Sequence, residues 1–206
     1  LQRIAEQQKL AIEELRKARN SRFQPFPPKN KILKIQYPRT LNQQKLKEGI
    51  KTSINNSCNL MLYPPITNFG LKGMQKWADL VLKWPKQFKG QNLFACLLNV
   101  FIYIEIGGTG GSFFRNMYAD FLEESAGVLK IPKLKEIAML FRGSAKIWSE
   151  IAKTALPDSW LVLKDVRELM TKNNSIFEEQ RPNALDEIKK ISRALENEMK
   201  QAIEEV

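Results

Sequence analysis

Glu105, Arg115, Tyr118, Asp120, Glu123 and Glu124 all fall within the segment 94–124, FACLLNVFIYIEIGGTGGSFFRNMYADFLEE. Carboxylates, a phenol and a guanidinium gathered around one bend can hold a substrate amine, orient a polar ligand or grip a cation. Glu105 closes an apolar run, so if it points inward it must be paired or protonated. Arg115 lies just past the bend and is the natural partner. The expectation is a Glu105–Arg115 pair that pins the two arms together, with direct substrate contact as the alternative. Tyr118, Asp120, Glu123 and Glu124 fall on successive turns of the following helix, a placement that allows a cluster with Glu105. Asp120 and Glu124 have i,i+4 spacing, so two carboxylates share a face that either holds an amine or metal ion or is simply solvated. No metal site and no cofactor is assigned to the chain.

The bend itself, Gly107-Gly108-Thr109-Gly110-Gly111, has the look of a phosphate cradle, because successive glycines expose amide N–H groups at a helix N-terminus. The known phosphate motifs fail residue by residue. No Gly-Lys-Ser/Thr follows, and Phe113 stands where a dinucleotide pattern starting at Gly108 needs its last glycine. Two readings remain. One is a tight helix-to-helix turn, with glycines supplying positive φ and Thr109 or Ser112 capping the next helix. The other is a loop that faces a ligand or partner.

The elements that must position these groups read as helices. Residues 94–104 are almost wholly apolar, which calls for protein or lipid on all sides. The run is too short for the ~20 residues that span a bilayer, so it is expected to be a central core helix. Upstream, 2–19 reads as a charged helix with a sparse stripe at Ile4, Ala11, Ile12, Leu15 and Ala18. A strap with Pro25, Pro27, Pro28 and Pro38 follows. Its Phe23, Phe26, Ile32, Leu33, Ile35 and Tyr37 suit a segment lying along a neighbouring domain, with 31–37 as a candidate edge strand.

A long helix is expected over 41–62, apolar at Leu46, Ile50, Ile54, Cys58 and Met61 and ended by Pro64-Pro65. Another is expected over 71–82, with Leu71, Met74, Trp77, Ala78, Val81 and Leu82 inward and Trp84-Pro85 closing it, before a polar loop at 87–91. Pro132 suits the start of a further helix. In that helix Ala138, Phe141, Ala145, Trp148, Ala152 and Ala155 recur at spacings of 3, 4, 3, 4 and 3. Helices at 159–170 and 175–205 complete the chain, the last kinked or restarted at Pro182 and seamed by Ile188, Ile191, Leu195, Met199 and Ala202. Asn99 and Asn68 are expected to bond to backbone, and Trp77, Trp84, Trp148 and Trp160 to sit in the core or at a domain interface.

The fold class is therefore all-α: a single helical domain over 41–206, of about six to eight helices around the central apolar helix. Residues 1–40 form an N-terminal helix and Pro-rich strap, read as the tail of an upstream domain.

The net charge of +11 is unevenly spread, with 13 Lys/Arg against 4 Asp/Glu in residues 1–60 and 20 against 18 in the remainder. Basicity confined to one arm weakens the case for a nucleic-acid-binding domain and favours docking of an acidic protein or plain solvation. Cys58 and Cys96 lack metal-ligand spacing and read as buried free thiols in a reducing cytoplasm, the expected location. With no signal peptide or spanning run, no membrane partner is expected. The absence of histidine means that neither a Cys-His nor a Ser-His-Asp centre can be completed within these 206 residues. A first residue other than Met suggests a trimmed terminus or a piece of a longer protein.

LRKARNSRFQPFPPKN at 15–30, YPPITNFGLKGMQKWA at 63–78 and NVFIYIEIGGTGGSFFRNMYADFLEE at 99–124 resemble the helical C-terminal domain of proteins similar to butirosin biosynthesis protein H. That resemblance implies a parent amine acyltransferase of antibiotic biosynthesis, which moves an acyl chain from an acyl carrier protein to an aminoglycoside-type amine. Its nucleophilic cysteine and its histidine lie in an N-terminal papain-like domain outside this chain. Neither Cys58 nor Cys96 stands in the family's cysteine motif, so no catalytic residue is assigned. The resemblance implies instead that Glu105, Gly107, Gly108, Thr109, Gly110, Gly111, Arg115, Tyr118 and Asp120 line a cleft against the papain-like domain or an oligomer interface. The expected partners are that domain, an acyl carrier protein and a second copy of the chain. The alternative is a stand-alone module that docks an acidic partner through its basic arm.

Overall fold

The computed structural model describes residues 12–22, 27–32, 34, 36, 40–107, 110–179 and 185–206. Expectations for Ile4, Ala11, Phe23, Pro25, Phe26, Leu33, Ile35, Tyr37, Pro38, Gly108, Thr109 and Pro182 lie outside the described residues. The chain divides into two compact units, Leu1–Asn42 and Gln43–Val206. All regular structure among the described residues is helical, and the described part of 31–37 forms no strand.

In the first unit, helix α1 (Ile12–Arg19) ends on three basic residues in its last turn, where cations suit the negative end of the helix dipole. The strap folds back on that end. The Asn30 amide donates to the Arg19 carbonyl at 3.0 Å, and the Arg19 guanidinium donates to the Asn30 carbonyl at 3.2 Å.

The second unit contains α2 (Gln43–Leu62), α3 (Gly70–Val81), the short α4 (Trp84–Gln87) and α5 (Gly90–Phe101). A π-helical turn (Ile102–Ile106) and a one-turn segment (Ser112–Phe114) then lead into α6 (Arg115–Leu129), α7 (Lys133–Ala155), α8 (Leu161–Glu179) and α9 (Leu185–Glu205). Two apolar cores hold these elements. In the larger one, Phe94, Leu98, Phe101 and Ile104 meet Trp148, Ala152 and Leu156 at the C-terminal end of α7, together with Val162, Leu163 and Val166 of α8 and Ala202 of α9. Burying each large apolar side chain there contributes about 1.5–3 kcal/mol. In the smaller core, Ala119, Leu122 and Ala126 of α6 meet Leu134 and Ala138 of α7. The fully buried alanines Ala119, Ala138 and Ala152 mark where backbones approach closely.

Helix α7, about 35 Å long at 1.5 Å per residue, serves both cores, and the stripe read from its sequence is the face it buries. The apolar run at 94–104 does occupy the larger core, but not on all sides: Asn99 is exposed and Tyr103 is 63% exposed. One flank of the rod is open. Several boundaries also differ from expectation. Helix α8 continues past Met170, where burial of Ile176 holds the added turns against the core. Pro85 sits in the first turn of α4 instead of closing α3, and α5 already starts at Gly90 within the expected loop. Leu71 and Leu82, expected inward on α3, are exposed.

Candidate functional site

The bend after α5 is built from two irregular turns. Three branched residues, Ile102, Ile104 and Ile106, crowd the last turn of the rod, where branching at Cβ limits side-chain freedom. The turn widens into a π-helical one closed by the Gly107 amide on the Ile102 carbonyl at 2.6 Å. Such single π turns recur at functional positions. The second arm begins with five consecutive residues at positive φ: Gly110 (64°), Gly111 (78°), Ser112 (52°), Phe113 (50°) and Phe114 (65°). Gly111 also has ψ of 163°, a region open essentially to glycine alone. The three side-chain-bearing residues each carry roughly 1–3 kcal/mol of strain, held by the burial of Ser112 and the packing of the Phe113 ring 5.0 Å from Trp148.

Neither irregular turn resembles the expected cap. Phe114 occupies the N-cap position of α6 in a left-handed conformation without a side-chain cap bond, so Ser112 does not cap the helix. It joins Glu105 instead. The Glu105 carboxylate accepts the Ser149 hydroxyl at 2.7 Å and the Ser112 amide at 3.2 Å. The Ser112 and Ser149 hydroxyls lie 2.9 Å apart, and Asn116 Nδ2 is 3.3 Å from Ser112 Oγ. Each hydroxyl has one proton to give. Ser149 spends its proton on Glu105, so Ser112 must donate to Ser149 and accept from Asn116. The result is a one-way chain, Asn116 to Ser112 to Ser149 to Glu105, that ties the π turn to α6 and α7.

The expected Glu105–Arg115 pair does not form. The left-handed turn brings a backbone N–H and two hydroxyls to the carboxylate and turns the guanidinium elsewhere. Arg115 Nη1 donates to the Phe113 carbonyl at 3.1 Å. The guanidinium carbon lies 5.5 Å from both the Phe113 and Trp148 ring centroids, a cation–π placement. Burial holds the Arg115 pKa below the ordinary guanidinium range, although the group stays protonated.

Glu105 and Arg115 thus line two separate cavities. One, of about 430 Å³, is polar and includes Glu105, Gly110, Gly111, Ser149, Lys153 and Arg167. The other, of about 660 Å³, is an open apolar groove whose walls include Met74, Trp77, Trp84, Val100, Phe113 and Trp148, with Arg115 among them. The two share no lining residue. Trp77 stacks on Trp148 with centroids 6.1 Å apart and meets Trp84 edge-on at 6.4 Å. At the groove's mouth, Gly73 permits α3 to sit on the preceding turn, since a Cβ there would lie 2.3 Å from the Asn68 carbonyl oxygen.

The remaining sequence candidates are not brought to Glu105. Tyr118 packs 4.7 Å from Phe141 and 5.7 Å from Phe121, centroid to centroid, and burial raises its pKa. Asp120 and Glu123, in place of the expected Asp120 and Glu124, share one cation: Arg142 reaches them at 2.7 and 2.9 Å. Those bonds, to Glu123 first and Asp120 second, raise the Arg142 pKa.

Gly107 is exposed, and Gly108 and Thr109 are outside the described residues. Both cysteines are free, but Cys58 is exposed and Cys96 is partly exposed on the groove wall, so neither is the buried thiol expected. Asn68 accepts from Lys76 at 2.8 Å instead of bonding to backbone. Trp160 is an exposed residue donating to Glu205 at 2.8 Å. Two features were missed by sequence reasoning. Ser149 lies next to Trp148 in the α7 stripe and offered a signal only as a small polar residue beside the core. Trp77 and Trp148, core by their helical spacing, are also groove wall.

Among the described residues, no group of three or more His, Cys, Asp or Glu side chains is placed to hold a metal ion. No helix among them is long and apolar enough to cross a membrane. No curated protein and no solved structure matches the chain. A family profile does match residues 13–176, most of the length, and carries both irregular turns and both cavities within its span. The chain belongs to the family described as domain of unknown function DUF4872.

Proposed function

We propose that this chain is a non-catalytic helical module of a protein similar to butirosin biosynthesis protein H, in which its apolar groove forms one wall of a substrate cleft. The catalytic partner would be a papain-like acyltransferase domain, with an acyl carrier protein as donor and an aminoglycoside-type amine as acceptor. The observation that carries this reading is the open, tryptophan-walled groove beside a strained turn. Strain of this kind persists where surrounding structure enforces it and clusters at binding sites.

Cys96 has no histidine to activate it, and the Ser112–Ser149 hydroxyls run toward a carboxylate as a structural chain. The test is to add the separately produced papain-like domain and measure its affinity for this chain. Trp77→Ala and Arg115→Ala are expected to weaken it. Unchanged affinity in both variants, with helix content intact, would overturn the cleft role.

A second reading, docking of an acidic protein by the basic arm, is favoured by α1, where Arg16 and Lys17 are exposed together with Ile12 and Leu15. It predicts binding that weakens steeply with salt and disappears when residues 1–40 are removed.

A further inference from the structure

Among the described residues that line the apolar groove, Arg115 is the only Asp, Glu, Lys or Arg. Its guanidinium makes one hydrogen bond, to the Phe113 carbonyl, and otherwise rests against the Phe113 and Trp148 rings. Among the described residues no carboxylate comes within ion-pair distance of it, whereas Arg142, on the same hairpin of helices, holds two. A cation moved partly out of water and left without a counter-ion is costly unless an anion joins it. A planar guanidinium held against aromatic rings is suited to a bidentate oxyanion. The surroundings set the rest of the ligand. The groove is walled by Trp77, Trp84, Met74 and Val100, so the body beside the anion must be apolar. A single cation balances one negative charge better than two, which favours a carboxylate over a phosphate monoester.

We infer that the groove is a binding site for an apolar carboxylate, its body against the tryptophans and its carboxylate on Arg115. The inference rests on the reading of the groove as part of a ligand cleft and adds the chemical class of the ligand.

Decanoate, decanol, decyl phosphate and decyltrimethylammonium share one tail and differ in head group. Each can be titrated below its aggregation concentration and followed by calorimetry and by tryptophan fluorescence, since Trp77, Trp84 and Trp148 report on the groove. Decanoate is expected to bind about tenfold or more tightly than decanol, the worth of a charge-assisted hydrogen bond in a partly dry site. The ammonium is expected to bind weakest. Arg115→Gln should erase the preference for decanoate while leaving decanol binding in place, and Arg115→Lys should retain part of it. Cys96→Trp, which places a bulky ring on the groove wall, should abolish binding of all four.

Equal binding of decanoate and decanol by the unaltered chain would overturn the carboxylate assignment and leave the cleft reading standing. Tighter binding of decyl phosphate than decanoate would overturn the choice of carboxylate. Binding of none of the four would overturn both the assignment and the cleft reading. The comparison of head groups on the unaltered chain decides the matter even if an Arg115 variant fails to fold.

Discussion

The polar cavity under Glu105 and the apolar groove under Arg115 lie at the same bend and follow opposite rules. At Glu105, every group visible in the network has a partner: both carboxylate oxygens accept, and the two serines and Asn116 form one directed chain. At Arg115, a charge rests to one side of two touching aromatic rings, with a single backbone acceptor among the described residues. Completed networks rigidify, so the Glu105 side reads as the fastener of the bend. The Arg115 side is the one with unspent hydrogen-bonding capacity.

The strongest way to break this comparison is at Trp148, a groove residue whose neighbour in sequence, Ser149, lines the other cavity. Trp148 is buried, stacks on Trp77, meets Phe113 at a tilt, and precedes Ser149 in α7. Trp148→Ala is expected to cost about 3–5 kcal/mol in urea unfolding. A loss under about 1 kcal/mol, small for a buried aromatic, would mean that the groove wall is not part of the core.

Gly111→Ala comes next. It places a side chain at φ 78°, ψ 163°, with a Cβ 3.1 Å from Glu105 Oε2. A destabilisation of about 1–3 kcal/mol is expected, read as a lower Tm, and an unchanged Tm would remove the strained turn from the account. Glu105→Ala leaves the Ser112 amide and the Ser149 hydroxyl without their acceptor, also at about 1–3 kcal/mol. It should leave decanoate affinity unaltered, because the carboxylate faces the other cavity.

The smallest expected effect sharpens the contrast through acid. Asp158 at the α7–α8 corner holds Lys153 at 2.8 Å and also bonds Arg167, two residues that line the polar cavity. Those hydrogen bonds, Lys153 first, depress the Asp158 pKa to about 2, against an ordinary 3.8. A depressed folded-state pKa means that the contribution is complete above about 3.8 and is lost as the pH falls toward 2. Amide protection factors at the α7–α8 corner should therefore fall across that window. The groove, with no Asp or Glu among its described lining residues, should show no matching change, and an equal loss of protection at both places would contradict the separation.

What the sequence made legible follows from periodicity. The α7 stripe from Ala138 to Ala152 and the α9 seam with buried Ile191 and Ala202 repeat at helical spacing, and tertiary packing had only to confirm the face. The apolar run at 94–104 announced a core helix, yet periodicity could not show that its Asn99–Tyr103 flank stays open as a groove floor. The Glu105–Arg115 expectation failed for a specific reason. It assumed an ordinary turn after the glycines, and Ser112, Phe113 and Phe114 adopt left-handed backbone that no local preference of these residue types announces. That turn sets where the Arg115 side chain goes. The Asp120–Glu123 clamp was invisible because Arg142 comes from the next helix, 19 residues beyond Glu123.

The separation of Glu105 from Arg115 is the claim on which the rest depends, and a double-mutant cycle with Glu105→Gln and Arg115→Gln measures it directly. Unfolding free energies of the four proteins should be additive, with a coupling below about 0.5 kcal/mol, as for sites without a shared partner. A coupling of about 1 kcal/mol or more, in the range of residues joined in one network, would mean that the two charges act as a pair and that the guanidinium is not available to a ligand.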